Sequence, residues 1–248
     1  MSISISIIIT AYNEEKKIRS AFLDIQNASI KLNLDYEIII VNDASKDNTK
    51  NEIDKIINEF DNIKLINNNK NQGPGKSFNI GVKKAIGEVV LWISGDGDTK
   101  AFEYLQHINL FKKYDLVCLY FTNPEERILF RRFVTSTFTF ILNLFFLMNL
   151  NYFNGPTFIK KDIYLTLIPR SNRFFFAAES KIKVIKKKYL YVEIPYKVET
   201  KKEQQHRSIR DIITPLRPKN IFDVIKSFFR VFYEIYLKKE FKKIKKIN

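Results

Sequence analysis

Apolar residues in the first half of the chain gather into five short runs, at residues 3–10, 36–41, 63–66, 88–93 and 115–121. Two of these, Ile38-Ile39-Ile40-Val41 and Val89-Val90-Leu91-Trp92-Ile93, are almost unbroken and rich in β-branched residues. That composition predicts strands covered on both faces, as in a parallel sheet. Between the runs the spacing changes. Ile53, Ile56, Ile57 and Phe60 recur at helical intervals after Ser45-Lys46-Asp47-Asn48-Thr49, a segment rich in residues that start helices. Strand and helix alternate in this way to about residue 120, the pattern of a doubly wound α/β fold with a mostly parallel central sheet flanked by helices. The second half is different in texture. Residues 133–150 carry no charge but hold Thr135, Ser136, Thr137, Thr139, Asn143 and Asn149, whose polar groups would be costly in hydrocarbon. The expectation is an interfacial or core helix instead of a membrane span. Residues 221–241 place Val224, Ile225, Phe228, Phe229, Phe232, Ile235 and Tyr236 at helical spacing beside Lys226, Arg230, Lys238 and Lys239.

Charge sharpens that last reading. The net charge is +15, yet the first hundred residues are close to balanced and residues 238–248 hold six lysines against one glutamate. That asymmetry leads to the expectation that the basic surface belongs to a terminal element and not to the fold as a whole. An amphipathic basic helix with a lysine-rich end reads as an anchor on an anionic membrane surface, and the expected division is a catalytic domain over 1–219 with the extension over 220–248. A terminal helix packed on the domain is the plain alternative. A nucleic-acid-binding module would also explain the charge, but the lysines accompany an apolar helix and not base-stacking aromatics on a sheet, so no nucleic acid is expected. The amino terminus lacks a basic leader and alternates like a strand, and the single Cys118 sits in an apolar run. Both favour the reducing, cytosolic side.

The candidate chemistry lies where strands end. Asn42-Asp43 and Gly95-Asp96-Gly97-Asp98 each close an apolar run with carboxylates, and the carboxyl edge of an open α/β sheet is where ligands bind. Asp96 and Asp98 stand on one turn about a glycine, a spacing that lets both face one hard divalent cation, Mg²⁺ or Mn²⁺, holding a diphosphate. Gly73-Pro74-Gly75-Lys76-Ser77 looks like a phosphate loop, but Asn69 occupies the position of the upstream glycine such a loop needs.

In order along the chain, Thr10-Ala11-Tyr12-Asn13-Glu14-Glu15, Val41-Asn42-Asp43-Ala44-Ser45-Lys46-Asp47-Asn48-Thr49, Asn71-Gln72-Gly73 through Asn79-Ile80-Gly81, and Gly95-Asp96-Gly97-Asp98 resemble the motif series of family 2 glycosyltransferases with the GT-A fold, in particular the polyprenyl-phosphate (dolichol-phosphate mannose synthase-like) sugar transferases. The resemblance covers the first hundred residues. It implies transfer of a hexose from a nucleotide diphosphate sugar to a lipid-linked acceptor such as polyprenyl phosphate, or to a growing surface polysaccharide or glycolipid. It places Thr10, Tyr12, Glu14, Asp43, Lys76 and Asp96 on the donor nucleotide, with Asp43 reading the base, and makes Asp96 and Asp98 the metal-binding DxD pair. Asn42 departs from the family's usual Asp-Asp pair. Farther on, Asn154-Gly155-Pro156 resembles the acceptor-side segment, with Asn151 where relatives have aspartate. Glu179 is then the acceptor-side acid, either a general base or the partner that orients a basic side chain. Arg207 and Lys202 stand in a basic loop placed to neutralise the leaving nucleotide. The implied site is peripheral on the cytosolic face of a membrane.

Overall fold

The computed structural model describes residues 3–96, 100–123, 129–197 and 218–238. Seven strands form one sheet in the order β3-β2-β1-β4-β6-β5-β7. The amino-terminal half is parallel: β1 (Ser4–Ala11) is flanked by β2 (Asp35–Asn42) and β4 (Val89–Ser94), and β3 (Ile63–Asn67) lies on the outer edge of β2. The helices between them, α1 (Ile18–Lys31), α2 (Thr49–Glu59) and α3 (Pro74–Val82), are the crossovers that such parallel pairing requires. All four of these strands fall within a residue or two of the apolar runs that predict them. Ile7, Ile8, Ile9, Ile38, Ile39 and Ile40 are fully buried because helices cover both faces.

Beyond β4 the chain forms a short helix α4 (Ala101–Leu105), a 3₁₀ turn (Ile108–Lys112) and β5 (Leu116–Phe121). The long helix α5 (Leu129–Phe146) leads through a loop to β6 (Phe158–Lys160), which is only three residues long and antiparallel to both β4 and β5. Helices α6 (Lys161–Thr166) and α7 (Phe176–Lys186) follow, then β7 (Tyr191–Tyr196) parallel to β5. The last described element is α8 (Pro218–Phe232), continued by a π-helical turn over Tyr233–Leu237.

Three apolar clusters hold these layers together. One lies on the α1 and α2 face of the sheet, and a second lies beneath α3, α6 and α7. The third is built from helix and loop residues. It joins Leu142 and Phe146 of α5 to Phe175, Ala178 and Ile182 around α7 and to Val231 and Ile235 at the carboxyl end of α8. One side of α8 is therefore part of the packed fold, with Asn220, Ser227, Val231 and Glu234 buried, while its other side is exposed. The 133–150 expectation resolves in the same way, since α5 buries Leu142 and Phe146 and leaves Phe133 and Phe140 in solvent. Among the described residues no helix is long and apolar enough to cross a membrane.

Candidate donor site at the carboxyl edge of the sheet

Register brings three of the sequence motifs to one edge. Ala11 pairs with Asn42, and Thr10 pairs with both Val41 and Ser94, so the chain leaves β1, β2 and β4 at the same level. The ladder continues one step past the strands: Asp43 N donates to Ala11 O at 2.8 Å, and Gly95 N donates to Thr10 O at 3.0 Å. Tyr12 and Glu14, Asp43, and Asp96 consequently emerge side by side. A Cβ at Gly95 would lie 3.1 Å from Ile18 Cδ1 and 3.2 Å from Thr10 O. A side chain there would crowd β1 and α1 and need its neighbours to shift by a few tenths of an ångström.

Thr10 is buried and its Oγ1 accepts from Trp92 Nε1 at 2.9 Å, fixing the indole of β4 against β1. Tyr12 is exposed at the edge. The loop after it is knitted to the loop after β2: Asn13 N donates to Ser45 Oγ (3.1 Å), Lys46 N to Asn13 Oδ1 (2.8 Å) and Glu14 N to Thr49 Oγ1 (2.7 Å). Asn13 and Ala44 both hold left-handed backbone, with φ of 59° and 58°. Asparagine tolerates that region; alanine does so at a cost, which the surrounding bonds offset. Asp47 joins the lattice by accepting from Glu15 N and from Thr49, and those bonds keep its carboxyl below the usual range although burial pushes the other way.

Asp43 is where the structure says more than the motif. Its Oδ1 accepts from Asn68 Nδ2 (2.8 Å) and Gln72 N (2.9 Å), and its Oδ2 accepts from Gly73 N (2.7 Å). The carboxylate is nearly buried and clamps the turn leading into α3. Gly73 has φ +91°, and a Cβ there would meet Asn172 O at 2.5 Å, so the turn accepts no larger residue. Lys76 stands in the first turn of α3, whose amides at Gly75 and Lys76 donate to Asn172 O. The apparent phosphate loop is thus a helix start tied to the 169–172 segment. Asn42 is buried, bonded through its side chain to Ser45 N and Asn67 Oδ1.

Asp96 is half-buried on the turn after β4. Asp98, Lys202 and Arg207 lie outside the described residues. Among the described residues there is no group of three or more metal-ligating side chains. Asp96 offers an oxygen donor of the kind a hard divalent cation takes.

On the acceptor side, Glu179 is fully buried in α7. Its Oε1 accepts from Arg170 N (3.0 Å) and pairs with Lys183 Nζ (2.6 Å); its Oε2 accepts from Ser171 N (2.9 Å) and pairs with an Arg230 guanidinium nitrogen (2.7 Å). Glu234 extends the cluster to Lys183 (3.3 Å) and Arg170 (3.2 Å). Its two oxygens are thus held by two backbone amides and two basic side chains. Lys181, one face of α7 away, is also fully buried and donates to Phe153 O (3.0 Å) and Tyr152 O (3.4 Å), beneath the Asn154-Gly155-Pro156 loop. Burial lowers its pKa. Neither cluster is readable from sequence, because Arg230 is 51 positions from Glu179 and a lysine in the middle of a helix looks like a solvated one. A cavity of about 240 Å³ lies at the opposite edge, lined by Ser4, Asp35, Glu37 and Gly87. It is remote from every strand-end carboxylate above, and Glu37 there is spent on Ser6, Ile86 and Lys64.

A parallel α/β sheet with carboxylates at its switch edge, extended by an antiparallel β6, defines the GT-A class of nucleotide-sugar transferase folds. The family model for glycosyl transferase family 2 matches residues 6–162, more than half of the chain, and the chain belongs to that family. Among curated relatives, it is 36% identical over 112 residues to the dolichyl-phosphate beta-glucosyltransferase ALG5A of Trichomonas vaginalis, a match covering 42% of this chain and 35% of that protein. It is 34% identical over 95 residues to the GalNAc(5)-diNAcBac-PP-undecaprenol beta-1,3-glucosyltransferase of Campylobacter jejuni, covering 38% of this chain and 30% of that one. The matched stretch thus spans about a third of each relative. In fold, the chain is similar to glucosyl-3-phosphoglycerate synthase of Mycobacterium tuberculosis in complex with Mn²⁺, UDP and phosphoglyceric acid (TM-score 0.69, 14% identity, 93% of this chain and 78% of that one). It is likewise similar to mannosyl-3-phosphoglycerate synthase of Rubrobacter xylanophilus (TM-score 0.70, 14% identity, 98% and 77%).

Proposed function

We propose that this protein is a metal-dependent, inverting glycosyltransferase that moves a hexose from a nucleotide diphosphate sugar to a lipid-linked acceptor such as a polyprenyl phosphate, working peripherally on the cytosolic face of a membrane. The observation that carries the reading is the register of β1, β2 and β4, which sets Tyr12, Asp43 and Asp96 at one carboxyl edge. The Trichomonas and Campylobacter relatives, both named for lipid-linked acceptors, support the acceptor class.

In this reading Tyr12 and Glu14 flank the nucleotide, Thr10 braces the floor through Trp92, and Asp43 fixes the turn that places Lys76 beside the donor, leaving base selection to the pocket that this turn shapes. Asp96 and Asp98 hold Mg²⁺ or Mn²⁺, in keeping with the oxygen chemistry of the pair and with the Mn²⁺ and Mg²⁺ in the similar structures. A divalent ion held by these carboxylates would supply positive charge to screen the diphosphate and stabilise it as a leaving group. Arg207 adds positive charge to the leaving group. A phosphate acceptor is already ionised and needs no base. Glu179 accordingly acts through Arg230 and Lys183, holding α7 and α8 against the 170–171 segment. A second reading, transfer to a growing surface glycan or glycolipid, is favoured by the undecaprenol-linked oligosaccharide acceptor in the Campylobacter relative's name.

A panel of nucleotide diphosphate sugars offered with polyprenyl phosphate or with polyprenyl-linked glycans tests both. Transfer to the phosphate that stops in EDTA is the expected result. Transfer to neither lipid with any donor overturns the proposal.

A further inference from the structure

The donor-site reading leaves one large surface unused. Helices α5 and α8 lie side by side: the rings of Phe145 and Phe146 stand 5.3 and 5.4 Å from that of Phe228, centroid to centroid. Their inward sides complete the third core cluster, yet their outward sides are apolar too. On α5, Phe133, Phe140 and Leu144 are 71, 66 and 58% exposed; on α8, Phe222, Ile225 and Phe229 are 68, 50 and 64% exposed. Each set recurs at helical spacing and so forms a stripe along its own helix. The stripes join through Phe145, Phe228 and Phe229, the last two with rings 5.4 Å apart. A helix that faces water carries polar residues there, and an apolar patch that spans two helices marks an interaction surface.

Charge identifies what covers it. Lys219 and Lys226 are exposed on α8, and the chain runs on from it into the lysine-rich residues 238–248 of a protein whose net charge is +15. Rings that enter the acyl boundary, with lysines at the level of the phosphates, fit an anionic bilayer surface. A span is excluded for the described helices by their length and hydropathy.

We propose that α5 and α8 form a single two-helix platform lying in the plane of an anionic bilayer, with α5 contributing as much of the apolar contact as the basic terminal helix. The platform is tied to both walls of the acceptor side. Asn143 of α5 bonds to Leu150 N and O at 3.0 and 2.9 Å, just before the 151–156 loop, and Arg230 of α8 holds Glu179 beside Ser171. Docking therefore presents that loop to a headgroup at the surface, a consequence that rests on the lipid-linked acceptor reading; the docking itself does not.

Flotation of the full chain with phosphatidylcholine vesicles, with and without phosphatidylglycerol, tests the platform through two double variants, Phe133→Ser with Phe140→Ser on α5 and Ile225→Ser with Phe229→Ser on α8. Wild type should float with the anionic vesicles and resist displacement by oligonucleotides. Each double variant should lose about tenfold or more in partition, since the lost apolar insertion is comparable in the two. Nucleotide diphosphate binding should stay as in wild type and the melting temperature should change little, because these side chains are half or more exposed. An α5 variant that floats like wild type overturns the proposal, and so does wild-type binding that ignores lipid charge. Self-association lost in the variants while flotation persists would instead make the face a contact between copies. Absence of sugar transfer with flotation intact would sink the enzymatic reading and leave the platform standing.

Discussion

At the scale of single residues, a strand-end aspartate is easy to find in the sequence and hard to interpret there. Asp43 was legible as a carboxylate at the sheet edge; its three donors, Asn68 and the amides of Gln72 and Gly73, were not, because the turn that supplies them has no apolar pattern. Asp43→Ala should cost about 1–3 kcal/mol in chemical denaturation by leaving those buried donors unpaired, and it should weaken donor binding for every base alike. Unchanged stability with altered base preference would show Asp43 to be a reader and not a clamp. Glu179→Gln removes the charge that faces Lys183 and Arg230. Breaking a buried pair costs roughly 3–5 kcal/mol, and the quarter exposure of the Arg230 side chain together with the remaining Glu234 points to the low end. Turnover lost at full stability would point to chemistry instead. Cys118 is buried, and burial pushes its thiol up to about 12 from 9.0. The folded state therefore keeps a proton that the unfolded chain releases, so this contribution to stability is complete below about pH 9 and declines as pH rises toward 12. Native protein should not react with a thiol reagent at pH 8, while unfolded protein should.

At the scale of elements, legibility followed burial symmetry. The parallel strands of the first half were visible because both their faces are covered, which turns them into continuous β-branched runs. Strand β6 gave no such signal, being three residues long within a turn-rich segment, and α3 was masked by glycine and polar residues that resemble a phosphate loop. The amphipathic character of α8 was plain, but a sequence shows an apolar stripe without saying what lies against it. Here the helix has two: Val231 and Ile235 enter the third core cluster, while Ile225 and Phe229 face outward. Truncation after Lys219 should therefore do more than detach the protein from lipid. Losing those two buried side chains costs roughly 1.5–3 kcal/mol each, and Glu179 and Lys183 lose Arg230 and Glu234. A marked fall in melting temperature is expected, and a truncated chain as stable as the parent would mean that α8 is only an appendage.

At the scale of the whole molecule, charge is divided by task. The basic surplus lies beyond residue 150, in the acceptor-side half and the terminal segment, whereas the sheet edge that would receive a doubly ionised diphosphate carries Asp43 and Asp96, with Asp98 following two residues on in the sequence. Carboxylates and a diphosphate repel at short range, and salt screens charges farther than about 10 Å away, so compensation has to come from positive charge at the edge itself. In the proposed reading a divalent cation at Asp96 and Asp98 supplies most of it, alongside Arg207. Calorimetry of a nucleoside diphosphate should accordingly show binding that requires Mg²⁺ or Mn²⁺ and disappears in EDTA. Asp96→Asn and Asp98→Asn should each weaken the metal-dependent component about tenfold or more, equivalent to ~1.4 kcal/mol, while the melting temperature stays near that of the parent, since neither change removes apolar packing. Equal affinity with and without the metal would require another source of positive charge at the edge, for which Lys76 at the start of α3 is the described candidate, and a Lys76→Met variant would then lose the affinity that the aspartate variants kept.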